Sequence, residues 1–235
     1  DNSPSKEKYS DLVNVANGFF GEVGVYYKNT PENHPLSYVY NSIIEEYSNE
    51  CNYVAFFDQD SEISDNYFNA LDDVLKQESR ADLYLPKIYH DGHLVSPSWV
   101  FLWFGRYYKD VPIGWMDNKN LSAINSGMIL STKFVIDNSF TYDDRLGSYC
   151  TDDYFMKFFR KNDGNAYVMN VIFNHELSLS TLNKHSDLLV SRYRKMLDGW
   201  RVVHGDSFLK RIALEFYIVI HKIRMCIKFK SYKYF

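Results

Sequence analysis

A glycine-rich phosphate loop, a cysteine pair, a low-complexity tract and an internal repeat are all missing from this chain. Its three cysteines, Cys51, Cys150 and Cys226, form no CxxC motif, which excludes a cysteine-built zinc site and fits a reducing compartment. Without a basic, Gly-rich loop there is little to cradle a triphosphate, which disfavours a nucleotidyltransferase-type enzyme. Positive charge is not in excess either. The formal net charge of -4 argues against a nucleic-acid binder, whose footprint is basic. No uninterrupted apolar run reaches the ~20 residues needed to cross a bilayer. The opening Asp1-Asn2-Ser3-Pro4-Ser5 lacks the features of a signal peptide and reads as the turn after a strand. The first strand of an α/β domain, with its helix, is therefore expected to lie ahead of it.

What remains is an aromatic-rich chain of 235 residues, with 20 Tyr and 17 Phe, long enough to bury a full core as one domain. Apolar residues at helical spacing predict helices over 6–17, 36–48, 65–77 and 151–162. Short apolar runs predict strands over 22–28, 53–57, 82–86, 123–131 and 166–173. This alternation implies an α/β domain with a mostly parallel sheet covered by helices on both faces. The rhythm breaks over 88–121, which reads as either a hairpin or a long substrate loop. The domain is expected to span 1–180, with a nucleotide-binding half over 1–87 and an acceptor half over 88–180. A helical extension follows over 181–235. Its last part, Ser207 to Phe235, carries seven Lys/Arg against the single acid Glu215, interleaved with Ile, Leu, Phe and Tyr. That pattern fits a basic amphipathic helix on an anionic membrane surface. It fits equally a helix docked on the domain with its lysine stems lying over apolar surface.

The stretch most suggestive of chemistry is Tyr53-Val54-Ala55-Phe56-Phe57-Asp58-Gln59-Asp60-Ser61, an apolar strand ending in two carboxylates. Open α/β sheets bind ligands beyond the carboxyl ends of their strands. Two acids one residue apart can share a divalent cation, and that cation can hold a diphosphate. The same spacing also occurs in ordinary surface turns. Asp152 and Asp153 open a predicted helix, where they serve either as general base or as caps for the helix dipole. His175 follows the last apolar strand, as a metal ligand or as a satisfied strand-end histidine.

The order of these pieces resembles glycosyltransferase family 2, and the Asp-Gln-Asp-Ser variant is most similar to its bacterial rhamnosyltransferase branch. The pieces are Asp1-Asn2-Ser3-Pro4-Ser5, Asn33 and Asn41, Asp58-Gln59-Asp60-Ser61, Ser126-Gly127, Asp152-Asp153 ahead of Gly164, and His175. The resemblance covers roughly residues 1–178. It implies a Rossmann-like GT-A fold and an inverting transfer of sugar from a nucleoside-diphosphate sugar, dTDP-rhamnose or a UDP-hexose, to a glycan or lipid-linked glycan acceptor. It implies Mg²⁺ or Mn²⁺ as cofactor, and a cytoplasmic location peripheral to the inner face of the cell membrane. Asp1, Asn33, Asn41, Asp58 and Asp60 would bind the nucleotide-sugar, and Asp60 and His175 the metal. Asp153 would be the base with Asp152 beside it, while Ser126 and Gly127 would line the acceptor side. Trp99 or Trp103 would stack on a sugar ring, an assignment resting on composition. Phe159 stands where family members usually carry Arg, with Arg160 next to it. A non-catalytic, transferase-like module that binds carbohydrate or a partner is the competing class.

Overall fold

The computed structural model describes residues 28, 32, 34–58, 65–77, 80–174 and 186–235. In chain order these form α1 (Leu36–Tyr47), β1 (Tyr53–Phe56), α2 (Asp65–Lys76), β2 (Leu83–His90) and β3 (His93–Ser96). Then come β4 (Ser98–Phe101), β5 (Phe104–Tyr107), β6 (Gly114–Met116), β7 (Leu121–Ser122), β8 (Met128–Ser131) and α3 (Thr132–Asp137). The chain continues through α4 (Thr151–Lys161), β9 (Ala166–Asn174), α5 (Asp187–His204) and α6 (Phe208–Phe229), closing with a 3₁₀ turn at Tyr232–Tyr234. The helix expected over 6–17 lies outside the described residues, as does all of the 22–28 strand but Lys28.

The fold is mixed α/β. Its main sheet runs β1-β8-β2-β9-β6, with β3 paired to β2. Along β2, Leu83 and Leu85 pack into one apolar cluster and Tyr84 into another, as the period-2 alternation of a strand requires. β8 does the same, with Met128 and Leu130 on one side and Ile129 on the other. The sheet is thus buried on both faces. Tyr40 of α1, Phe134 of α3 and Phe155 and Phe159 of α4 cover the first, while Tyr67, Ala70 and Val74 of α2 cover the second.

The expectation of a mostly parallel sheet needs correction. Among the described residues only β2 and β9 pair in parallel, and the remaining ladders of the main sheet are antiparallel. The cause is residues 88–121, which fold as short strands with no crossover helix, so the chain returns beside β2 in the opposite sense. β8 is antiparallel to both β1 and β2, so β1, β2 and β9 all point the same way and end at one rim. Pro86 has no N–H to give, and the β2–β9 register slips between Leu85 and Lys87. A second sheet, β5-β4-β7, takes up part of the 88–121 stretch that the sequence left open between hairpin and loop, and β3 and β6 of that stretch join the main sheet.

The C-terminal helices belong to the same body. Val203 of α5 lies in the main core, with Met196 and Trp200 packed against it. α6 docks on α5 through Leu214, Ile218 and Met225, which meet Leu189, Val190, Tyr193 and Leu197. Arg201 donates to both carboxylate oxygens of Glu215 at 2.6 and 3.1 Å, and Tyr193 Oη lies 2.8 Å from His221 Nδ1. Docking nevertheless uses only one side of α6. Phe208, Leu209, Phe216 and Ile227 are at least 72% exposed, and Ile212, Val219, Ile220 and Ile223 are also exposed. No helix among the described residues is long and apolar enough to cross a membrane.

Leu214 is fully buried between α5 and α6. Leu214→Ala should therefore lower stability by about 2–5 kcal/mol in thermal or urea melts. An unchanged melting temperature would mean that α6 is not docked through this face.

Candidate functional site

Asp58 stands just past β1, at the rim where β1, β2 and β9 end and β8 begins. The junction is tight. Gly127 donates its N–H to Phe56 O at 2.8 Å and accepts from Tyr67 Oη at 2.7 Å. Its φ of +73° is a left-handed backbone, and a Cβ there would sit 2.5 Å from the Phe173 ring. Only glycine meets both conditions without strain.

The start of α4 is drawn to the same rim. Asn125 Nδ2, two residues before Gly127, donates to Thr151 Oγ1 at 2.8 Å. Cys150 precedes the helix in a left-handed conformation and supplies no side-chain cap. Asp152 and Asp153 occupy the first turn, where the dipole favours anions, and Asp152 Oδ1 accepts from Asp153 N–H at 2.9 Å. The capping role anticipated for the pair is therefore partly real.

The rest of their environment is not that of a surface cap. Both line a cleft of about 230 Å³ whose walls include Trp99, Trp103, Tyr107, Trp200 and His204. Burial, then the neighbouring Asp153 and more weakly Asp58, pushes the Asp152 carboxyl up to about 7. Burial also raises Asp153, but Arg160 opposes it and favours the ionised form. The two carboxyls form an interacting pair whose surroundings favour protonation, with Arg160 opposing this at Asp153. Asp58 also raises the Tyr40 hydroxyl, second only to burial, which puts Tyr40 in the same electrostatic neighbourhood. Tyr142 Oη is buried there with no hydrogen-bond partner.

The structure brings Asp58, Asp152, Asp153, Trp99 and Trp103 into one region. Other expected positions have different surroundings. The Asn41 side chain clasps the Tyr142 backbone, donating to its carbonyl at 3.0 Å and accepting from its N–H at 2.8 Å. Ser126 and Gly127 are buried at the start of β8 and shape the rim through packing, while the cleft is walled by other residues. Asp1, Asn33, Asp60 and His175 lie outside the described residues. No group of three potential metal ligands occurs among the described residues. The expected ligands of Mg²⁺ or Mn²⁺, Asp60 and His175, are both among those undescribed positions, while Asp58, expected at the donor's ribose or sugar, is described.

Lys157, Trp200 and His204 went unread in the sequence, and Arg160 was read only as the neighbour of Phe159. Lys157 and Arg160 lie four and seven residues after Asp153, on the same helical face, a spacing that was available to find them. Trp200 and His204 come from α5, which carried no motif. No protein-family model, curated protein or solved structure matches the chain.

A carboxyl whose affinity for protons rises on folding favours the folded state fully below its unfolded value of about 3.9, and the benefit is lost as pH climbs through about 7. Asp152→Asn, which cannot ionise, should therefore gain stability relative to the wild type between pH 5 and pH 8, on the order of 2 kcal/mol. Melting curves of the two proteins across that range test this. A difference independent of pH would show that Asp152 is not desolvated as described.

Proposed function

We propose that the chain is an inverting glycosyltransferase of the GT-A kind, using a nucleoside-diphosphate sugar such as dTDP-rhamnose or a UDP-hexose. The observation that carries the reading is the desolvated Asp152/Asp153 pair, opening into an aromatic-walled cleft and facing the charge of Asp58 at a strand end. Support also comes from three strands that run the same way and end at that rim, in a sheet covered by helices on both faces.

In this reading Asp153 is the base. Arg160 favours its ionised form against the burial that raises it, while burial and Asp153 favour the protonated form of Asp152. Asp153 takes the proton of the acceptor hydroxyl as that oxygen bonds to the anomeric carbon. The bond to the diphosphate breaks on the opposite face and the diphosphate leaves with the electron pair. The aromatic walls present flat apolar faces suited to a sugar ring and keep bulk water from the attacking oxygen. Asp58 orients the donor's ribose or sugar. Mg²⁺ or Mn²⁺, held with Asp60 and His175, would offset the charge on the leaving diphosphate.

The same protein would work on a membrane surface. α6 combines docking on α5 with an exposed row at Phe208, Ile212, Phe216, Ile220, Ile223 and Ile227, flanked by Lys222, Arg224 and Lys228. That composition suits an acyl–headgroup boundary bearing anionic lipid. The location inferred is the inner face of the cell membrane, and the acceptor a growing surface glycan.

The test of the activity is nucleoside-diphosphate release from UDP- and dTDP-sugars with Mn²⁺, alongside thermal shift by the same donors. Asp153→Asn should keep the donor-induced shift and lose about 10²–10⁴-fold in kcat. A wild-type chain that no nucleotide-sugar stabilises would point instead to a non-catalytic module. For the surface, Phe216→Glu with Ile220→Glu should weaken binding to phosphatidylglycerol-containing vesicles at least tenfold in sedimentation assays. Unchanged binding would reject the α6 face.

A further inference from the structure

Beside the acid cleft lies a second cavity, of about 160 Å³, that the proposed transfer does not use. The two share Val100, Trp103 and His204 in their walls. Its cations are Lys119, Lys157 and Arg160, with Lys210 from the first turn of α6. Negative charge only partly offsets them. Lys157 and Lys210 share one carboxylate, Asp206, at 3.0 and 3.1 Å. Arg160 interacts with Asp153 and donates to Leu121 O, and the Lys119 side chain is exposed.

Two further features set the character of the walls. The indole N–H of Trp103 is buried, out of reach of solvent, and has no hydrogen-bond partner. His204 is held neutral, its imidazole pushed down to about 4 by burial and then by Lys157, Arg160 and Lys210, with only Asp206 opposing them. A mono- or diphosphate brings the negative charge and several acceptor oxygens that match the four cations lining the cavity.

Spacing links the cavity to the base. Asp153, Lys157 and Arg160 stand at i, i+4 and i+7 on α4, so the backbones of Lys157 and Arg160 lie about 6 and 10 Å further along the helix axis than that of Asp153. We propose that this cavity binds the phosphate of a phosphorylated sugar acceptor and so presents a hydroxyl of that same sugar to Asp153. The proposal rests on the glycosyltransferase reading above and adds the acceptor's chemical class. The phosphate belongs either to a soluble sugar phosphate or to a lipid-carried sugar diphosphate.

The test is isothermal titration of the whole chain with α-D-glucose 1-phosphate, in chelator so that no metal–diphosphate donor complex can form. Binding should weaken at least tenfold with methyl α-D-glucoside and at least tenfold in the Lys119→Glu, Lys210→Glu double variant. It should survive in Asp58→Asn. Because losing the Lys210–Asp206 pair can disturb the fold, Lys119→Ala provides a second reading, with Lys119→Arg expected to restore affinity. No binding by the wild type, or binding lost in Asp58→Asn and kept in the lysine variants, overturns the proposal. A second arm uses a glucosyl diphosphate on a short prenyl chain in detergent micelles. At least tenfold tighter, lysine-dependent binding there assigns the phosphate to a lipid carrier, and equal affinity assigns it to a soluble acceptor. Donor is absent throughout, so lysine-dependent binding without nucleotide-sugar turnover upholds the phosphate site and removes the transferase reading.

Discussion

The reversed strand β8 is the constraint on which the rim depends. It is wedged between β1 and β2 against the direction of both, and its entry must turn within hydrogen-bonding reach of Phe56. Gly127 makes that turn possible by accepting a left-handed backbone beneath the Phe173 ring. Because β8 is reversed, its beginning meets the ends of β1, β2 and β9. The segment leading into it, through Asn125, then anchors the start of α4 at the same place. Acids nearly a hundred residues apart in sequence come together as a consequence.

Gathering carboxylates is unfavourable, and the surroundings show how the fold tolerates it. The helix dipole and the Asp153 N–H favour charge at the start of α4, and Arg160 favours it at Asp153. Burial beside aromatic walls works the other way and is the larger effect. The balance leaves Asp152 titrating near neutrality instead of as an ordinary surface acid. A carboxyl poised there exchanges protons at cellular pH with little driving force either way, the property useful to acid–base chemistry.

Much of the architecture could be read directly from periodicity. The helices at 36–47, 65–76 and 151–161 and the strands at 53–56 and 166–174 fall within a residue or two of their expected bounds, because each is strongly amphipathic or uniformly apolar. Strand direction could not be read, since alternation of element types carries no sign for β8 and residues 88–121 lack helical spacing. At the site, Asp58, Asp152 and Asp153 announced themselves as acids at element ends. Asn41 looked equally eligible, but its hydrogen bonds run to the Tyr142 backbone, a tertiary clasp with no local signature. Lys157 and His204 were unremarkable as isolated letters and Arg160 was noted only as the neighbour of Phe159; they share a cavity because α5 packs on α4.

α6 is apolar on two sides, one sealed by α5 and the other open, with cations between. In dilute buffer these cations should hold the open sides of two copies apart, since like charges repel across about 10 Å at 0.1 M salt. At 1 M salt that range shrinks to about 3 Å, and the open side is left to stick to its own kind. The colloidal behaviour of the purified protein should therefore run against the usual practice of adding salt. Low ionic strength or a mild detergent should keep it dispersed, and concentrated salt should drive it out of solution.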